Sequence, residues 1–249
     1  MHVKNITDMP APRISVVIPT YNEEDIIEKG LSNFSNQSLS RDEFEIVVVD
    51  GGSTDETVRI AKKYADTVIP QKSKGVGGAR NDGVEVTRAE IVATTDIDVI
   101  LPDFWLERIL MHFKRKEVVG VCGPNEPMER KFRARAAYFV INFIHPLSSL
   151  FNLTGMPGNN TAFKKSAFLS IGGYDTDAPY LDDIEMGLRL RKAGKVVFDC
   201  KLMVKISMRR LEESGYLKVL LLWLYGDTRL AIGKKVKKIS GLRYFRRIE

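Results

Sequence analysis

The chain has 249 residues, 44% of them hydrophobic and 28% charged, so it can bury a full core as one large α/β domain. Its only cysteines, Cys122 and Cys200, exclude a disulfide framework and a zinc-ligand pattern. The formal charge of +6 is concentrated at the C-terminus, where eight basic residues from Arg229 onward face one acidic residue, Glu249. Such an excess suits an anionic membrane surface or a nucleic acid.

The sequence predicts no membrane-spanning helix. The first residues lack the apolar core of a signal peptide, and no stretch reaches the ~20 apolar residues that a spanning helix needs. We therefore expect a cytoplasmic protein. Its predicted parts are a lead-in at 1–12, a domain at 13–210 and a basic amphipathic helical tail at 211–249.

Strand and helix patterns alternate along the domain. Apolar β-branched runs end at turn residues, and the segments between them carry apolar residues at helical spacing. Strands are predicted at 14–19, 44–50, 67–70, around 96–98, at 118–123, 159–163 and 204–207, with helices at 23–36, from near 53 to 64, beginning within 75–81, and at 104–114, 167–171 and 180–194. This alternation predicts an α/β fold with a mostly parallel central sheet and helices on both faces.

Two carboxylates separated by one residue follow the apolar run 91–95. On a strand, Asp96 and Asp98 would point the same way and form a hard-oxygen site suited to Mg²⁺ or Mn²⁺ with a phosphorylated ligand. The alternative is that one aspartate caps the next element while the other is solvated.

Other polar residues follow the predicted strands, at the edge of the sheet where ligands bind in such folds. Asp50 could accept a hydrogen bond from a nucleobase, or it could cap the following helix, a role that suits Asp55 better. In the stretch 74–81, glycines would let the backbone approach a ligand, and Arg80 would supply a fixed positive fork. A plain flexible loop is the alternative there.

The predicted helix at 180–194 begins with three carboxylates, Asp182, Asp183 and Glu185. Acidic residues complement the positive end of a helix dipole, but three of them exceed that need. Clustered like charges raise a carboxyl pKa, which suits a general base. Arg209 and Arg210 could neutralise a leaving phosphate, or they could be surface charge.

Taken together, these motifs resemble family 2 glycosyltransferases of the GT-A fold. The matching stretches occur in the family's order: 19–23, 50–55, 75–81, 96–98, 172–175 and 182–185. The resemblance implies an inverting, metal-dependent transferase that uses a nucleoside-diphosphate sugar of the UDP or GDP type. It implies a donor site made of Pro19, Thr20, Tyr21, Glu23, Asp50, Gly75, Arg80 and Asp96, and a divalent metal (Mg²⁺ or Mn²⁺) held by Asp98 with Asp96.

On the acceptor side, the resemblance implies Asp183 as the base that deprotonates the acceptor hydroxyl. Asp182 stands where a glutamate is usual, so either aspartate could be the base. Asn160 and Tyr174 are candidate acceptor-side residues.

The Gln-x-x-Arg-Trp motif of processive synthases is absent, which favours transfer of a single sugar. Ser207 stands where many members of the family have a histidine.

Two other functions fit parts of the sequence. The stretch 96–101 also resembles the nucleophile motif of haloacid-dehalogenase-type phosphatases, although three strand-end motifs precede it. A non-catalytic nucleotide-sugar or nucleic-acid binding protein is the other alternative. We expect no nucleic-acid partner, because stacked aromatic and zinc-knuckle patterns are lacking.

Two segments suggest contact with a membrane. Residues 130–153 alternate basic, aromatic and aliphatic residues, as at a lipid interface, although helices packing across the sheet would also fit. In the tail, Leu217, Leu220, Leu221 and Leu224 form an apolar stripe before the basic run. We expect peripheral association with the inner face of the cell membrane, near a glycan, lipid-linked or polyprenyl-phosphate acceptor, rather than a tail that only docks on the domain.

Overall fold

The computed structural model describes residues 11–129, 138, 156–208, 215, 222, 225–226, 228–230 and 234–236. Most of the lead-in, nearly all of the proposed interfacial segment 130–153, Arg209, Arg210 and most of the tail lie outside the described residues. Within those residues, no helix combines the length and the apolar character needed to cross a bilayer.

Ten strands and six α-helices are found in the described part of the chain. The strands are β1 (Ile14–Thr20), β2 (Phe44–Asp50), β3 (Thr67–Pro70), β4 (Ile91–Thr94), β5 (Val99–Ile100), β6 (Val118–Cys122), β7 (Asn125–Pro127), β8 (Thr161–Lys164), β9 (Lys195–Phe198) and β10 (Val204–Ile206). The helices are α1 (Ile27–Ser32), α2 (Thr57–Ala61), α3 (Gly75–Val86), α4 (Trp105–Phe113), α5 (Lys165–Ser170) and α6 (Asp182–Ala193). Short 3₁₀ turns span Asn33–Asn36 and Arg41–Glu43.

The central sheet has seven strands in the order β3-β2-β1-β4-β8-β6-β9. Its pairs are parallel except those of β8, which runs antiparallel to both β4 and β6. The mostly parallel sheet is therefore confirmed, and the reversed strand β8 is a feature that the local patterns did not predict.

Both faces of the central sheet are covered, which explains the unbroken apolar runs of its strands. Successive residues of β1 point to opposite sides. Val16 and Ile18 pack in a core with residues of α1 and α4, whereas Val17 packs in a second core with residues of α3, α5 and α6. Helices on both faces are thus confirmed.

A second, three-stranded sheet has the order β5-β10-β7. Within it, β10 pairs antiparallel with β5 and parallel with β7. This small sheet joins the end of the Asp96–Asp98 stretch to the strand before Ser207, so it brings together residues that are far apart in sequence.

Candidate functional site

The loops that follow β1 and β2 are tied to each other. Thr20 pairs with Asp50 at the carboxyl ends of these strands. Asn22 donates its amide to Ser53 Oγ at 2.8 Å and accepts from the amide of Thr54 at 2.9 Å. The amide of Glu23 donates to Thr57 Oγ1 at 2.8 Å. These bonds place the predicted donor residues Pro19, Thr20, Tyr21 and Glu23 beside Asp50 on one edge of the sheet.

The hydrogen bonds of Asp50 reach the turn after β2 and not the first turn of α2, which begins at Thr57. Asp50 Oδ2 accepts from the amides of Gly52 and Ser53, each at 3.0 Å, and so shapes the turn after β2. Its Oδ1 is buried and has no hydrogen-bond partner in the described part of the chain, as is also true of the neighbouring Thr20 Oγ1. Buried acceptors are rarely left unpaired, so these atoms suit the N–H groups of a nucleobase. Asp55 Oδ1 accepts from the amide of Thr57, the first residue of α2, at 3.0 Å.

The expected placement of Asp96 and Asp98 on a strand is wrong. Strand β4 ends at Thr94, and the two aspartates lie in the turn before β5. Between them, Ile97 is buried and packs so tightly on α1 that a Cβ on Gly30 would overlap its carbonyl oxygen. This anchor leaves both flanking carboxylates half-buried. Because Val99 pairs with Ile206, Asp98 comes next to Ser207 in the antiparallel register.

Arg80 lies at the centre of the candidate site. The first turns of α3 contain the glycines of the 74–81 stretch, so this stretch is helical rather than a flexible loop. Arg80 is 5% exposed, donates from Nη2 to Asp96 Oδ1 at 2.8 Å, and stands over the Tyr174 ring at 5.7 Å. A Cβ on Gly158 would lie 2.6 Å from its Cζ. Although burial alone would lower the pKa of Arg80, Asp96, Asp182 and Asp183 raise it, which keeps the guanidinium charged.

Asp182 and Asp183 open α6 next to Arg80. The Asp183 carboxylate accepts from the amides of Gly158 and Ile184, each at 2.8 Å, which fixes its orientation. Asp182 Oδ2 lies against Gly77, where a Cβ would overlap it, and has no hydrogen-bond partner in the described regions. Burial, followed by the charge of Asp183, raises the pKa of Asp182 to about 6. Burial also raises the pKa of Asp183, against the two amide hydrogen bonds and Arg80.

Asn81 and Arg189, for which the sequence patterns predict no role, hold the segment before Asp182 and Asp183. Asn81 pairs with the backbone of Tyr174, donating to its carbonyl at 3.0 Å and accepting from its amide at 2.9 Å. Arg189 forms an ion pair with Glu185 and donates to the carbonyls of Ile171 and Gly173. The signal in the sequence for Asn81 is its position directly after Arg80, within the stretch 75–81 that resembles the family.

Two expected acceptor-side residues are buried. Asn160 is 1% exposed, and its amide accepts from Trp105 Nε1 and donates to the carbonyls of Pro124 and Leu202. Both side-chain N–H groups and the side-chain oxygen of Asn160 are thus bonded inside the fold, which favours a supporting role beneath the site over contact with an acceptor. Tyr174 is 2% exposed, and its ring packs beneath the Arg80 guanidinium.

The residues present fit a divalent metal shared with a diphosphate. The described residues contain no group of three or more His, Cys, Asp or Glu side chains that could hold a metal alone. Asp96 and Asp98 nevertheless offer two carboxylates on one turn. Mg²⁺ is often bound by one or two carboxylates together with substrate phosphates.

Comparisons with known proteins find similarity to glycosyltransferases. The family model described as glycosyl transferase family 2 matches residues 15–172. The chain is 36% identical over 103 residues to glycosyltransferase AglE of Haloferax volcanii, covering 39% of this chain and 34% of that protein. It is 25% identical over 226 residues to a beta-monoglucosyldiacylglycerol synthase of Nostoc, covering 85% of this chain and 47% of that protein. The chain thus spans less than half the length of either relative.

Solved structures show the same GT-A fold. A Pyrobaculum calidifontis mannosyltransferase in complex with GDP-Man and Mn²⁺ superposes with a TM-score of 0.71 at 22% identity, over 92% of this chain and 66% of that one. Staphylococcus aureus TarS 1–349 in complex with UDP-GlcNAc gives 0.63 at 18% identity, over 78% and 58%. The phosphatase alternative finds no support among these matches. Because the family model covers more than half of the sequence, the chain belongs to glycosyl transferase family 2.

Proposed function

We propose that the chain is an inverting glycosyltransferase that moves a single sugar from a UDP or GDP sugar to an acceptor hydroxyl. The observation that carries the proposal is the sharing of Arg80 between Asp96 on one side and the Asp182–Asp183 pair on the other. The turn proposed to bind the donor and the candidate base thereby lie next to each other. Asp50 Oδ1, which has no partner among the described residues, lies on the same edge of the sheet.

The donor-side residues would bind and orient the nucleotide. Asp50 Oδ1 would accept from the base, with Tyr21 and Thr20 beside it. The amide group of Gln71 supports this side of the site, because it donates to the carbonyl of Gly75 at 2.8 Å and so ties β3 to the start of α3. Arg80 would hold Asp96 toward the ribose.

The acceptor-side carboxylate would perform the proton transfer. Asp183, oriented by two backbone amides, would take the proton of the acceptor hydroxyl. At the same time the oxygen of that hydroxyl would form a bond to the anomeric carbon of the donor sugar. The bond from that carbon to the diphosphate oxygen breaks in the same displacement, so the configuration inverts. A divalent metal held by Asp98 and Asp96 would neutralise charge on the departing diphosphate. Arg209 and Arg210 would add positive charge there.

A lipid-linked or glycan acceptor at a membrane surface fits the basic tail. One relative is named for a glycolipid product, a monoglucosyldiacylglycerol, which supports a lipid-borne acceptor hydroxyl. Peripheral attachment of the tail to an anionic inner membrane surface would bring the site to such an acceptor.

Calorimetric titration tests the donor half of this proposal. We expect UDP or GDP to bind more tightly with Mn²⁺ than without it, and we expect that metal dependence to disappear in Asp98→Ala. Asp103→Ala, five residues further on and exposed, is the control and should bind like the unchanged chain. If neither nucleotide binds with or without metal, the chain is not a nucleotide-sugar enzyme.

A further inference from the structure

The residue directly before the catalytic pair has an unusual backbone. Leu181 has a φ of 57° and a ψ of 30°, in the left-handed region. A non-glycine residue there is strained by about 1–3 kcal/mol and persists only where its surroundings hold it. Leu181 is also the N-cap of α6, and its carbonyl accepts from the amide of Glu185 at 3.0 Å. The direction in which α6 begins, and with it that of Asp182 and Asp183, depends on this conformation.

A residue from the tail holds the Leu181 side chain. A Cβ placed on Gly226 would overlap the Cδ1 methyl of Leu181 and lie 3.0 Å from Cε2 of Tyr180. Gly226 is buried and Tyr180 is 5% exposed, so this is a packed contact. Glycine permits so close an approach because it has no Cβ.

Other described tail residues reach the same loop. Lys235 Nζ donates to Asp175 Oδ2 at 3.1 Å, near the start of the loop that ends at Leu181. Arg229 stands over the Tyr225 ring at 5.8 Å, and both residues act electrostatically on Tyr180. The loop is therefore held from two sides, by Asn81 of α3 at Tyr174 and by the tail at Asp175 and Leu181.

We propose that Gly226, by seating Leu181, is a positioning residue for the Asp182–Asp183 pair, so that the tail is part of the catalytic apparatus and not only an attachment segment. The inference rests on the proposed function, since it concerns the same candidate base. It assigns a role to a part of the chain beyond residues 15–172, where the family model matches.

The test is Gly226→Val in two backgrounds. In the otherwise unchanged chain the new side chain displaces Leu181, and we expect the turnover number for nucleotide release from a UDP or GDP sugar to fall about tenfold or more. The dissociation constant of the nucleoside diphosphate should hardly change, because the donor side lies on other elements. Thr228→Val, at an exposed position two residues further on, is the control and should keep full turnover.

The second background is Leu181→Gly. Glycine removes the side chain that a valine at 226 would strike, and it adopts the left-handed conformation without strain. We therefore expect Gly226→Val to lower turnover less than about threefold relative to Leu181→Gly alone. Equal losses in both backgrounds would overturn the proposal, as would full turnover in folded Gly226→Val.

A further readout does not depend on turnover. Hydrogen exchange of the Glu185 amide, which bonds to the Leu181 carbonyl, should accelerate in Gly226→Val and return in the double variant to the rate of Leu181→Gly. If the exchange behaves in this way while the unchanged chain releases no nucleotide, the proposed function is wrong and the positioning of α6 by the tail stands. Unchanged exchange overturns the positioning itself. Should Gly226→Val not fold, Gly226→Ala serves in the same two backgrounds.

Discussion

The two adjacent aspartates of the site differ in how they are held. Asp183 has backbone donors on both oxygens and keeps one orientation, with lone pairs left for a substrate proton. Asp182 has a buried oxygen without a partner among the described residues and a pKa raised to about 6. The geometry therefore favours Asp183 as the base, with Asp182 as the adjacent carboxyl group whose pKa the charge of Asp183 helps to raise.

This difference predicts unequal effects of two matched substitutions. Asp183→Asn keeps the size of the side chain but removes the proton acceptor, so turnover should fall about 10²–10⁴-fold. Asp182→Asn should lower turnover much less. Steady-state rates measured beside nucleotide affinity, which should be unchanged in both variants, check this. If Asp182→Asn were the more damaging change, the roles would be exchanged.

The raised pKa values predict opposite effects of pH on turnover and on stability. Turnover should fall as the pH becomes acidic, because the base Asp183 must be ionised and burial raises its pKa above the usual carboxyl range. The free energy of unfolding should change in the opposite direction. The pKa of Asp182 is about 6 in the folded state and 3.8 as the ordinary value, so the folded state binds more protons between these two pH values. The resulting stabilisation is complete at low pH and is lost as the pH rises through about 6. Asp182→Asn should shift the acidic limb of the rate profile to lower pH and remove this part of the stability profile. An unshifted limb would show that the pair is not coupled.

At the scale of elements, the contact between α3 and α6 decides the geometry of the site. The first turns of α3 carry glycine where the start of α6 approaches, and Gly77 faces the Asp182 carboxylate and the Tyr174 Cβ. Helix propensity alone would favour alanine over glycine by about 1 kcal/mol. The glycine is therefore retained for the approach of the two helices.

Gly77→Ala tests this contact. Its Cβ would overlap Asp182 Oδ2, so we expect turnover to fall about tenfold or more and the melting temperature not to rise, despite the better helix former. Val76→Ala, at the exposed neighbouring position of the same turn, is the control and should leave turnover unchanged. A stabilised and fully active Gly77→Ala would mean that Asp182 moves aside without consequence.

Local sequence patterns predict the strands that consist mainly of apolar residues. They fail where the local conformation depends on contacts with residues far away in the sequence. The bounds of β2 and β3 follow directly from apolar, β-branched runs that end at Asp50 and Pro70, although only β2 is fully buried. The turn at Asp96–Asp98 was mistaken for a strand, because its form depends on Ile97 packing against Gly30 and on β5 pairing with the distant β10. The inward role of Asn160 likewise depends on Trp105 and Leu202, which no local pattern connects to it.

In the molecule as a whole, the basic part of the tail follows closely on its contact with the candidate site. The basic excess begins at Arg229, three residues after Gly226, and Gly226 contacts Leu181, the residue before Asp182 and Asp183. An anionic surface that attracts the tail would therefore act close to the candidate site.

Co-sedimentation with vesicles tests whether the tail binds such a surface. We expect the chain to sediment with anionic phosphatidylglycerol vesicles at low salt and to be released as the salt concentration is raised. It should not bind vesicles of phosphatidylcholine, which has no net charge. Each basic residue near an anionic surface is worth ~1 kcal/mol, so Lys237→Glu with Lys238→Glu should weaken binding at least about tenfold. Lys62→Glu with Lys63→Glu, an exposed pair after α2, makes the same change in net charge and should have little effect. Equal losses from the two pairs would mean that overall charge, and not the tail, attracts the vesicle.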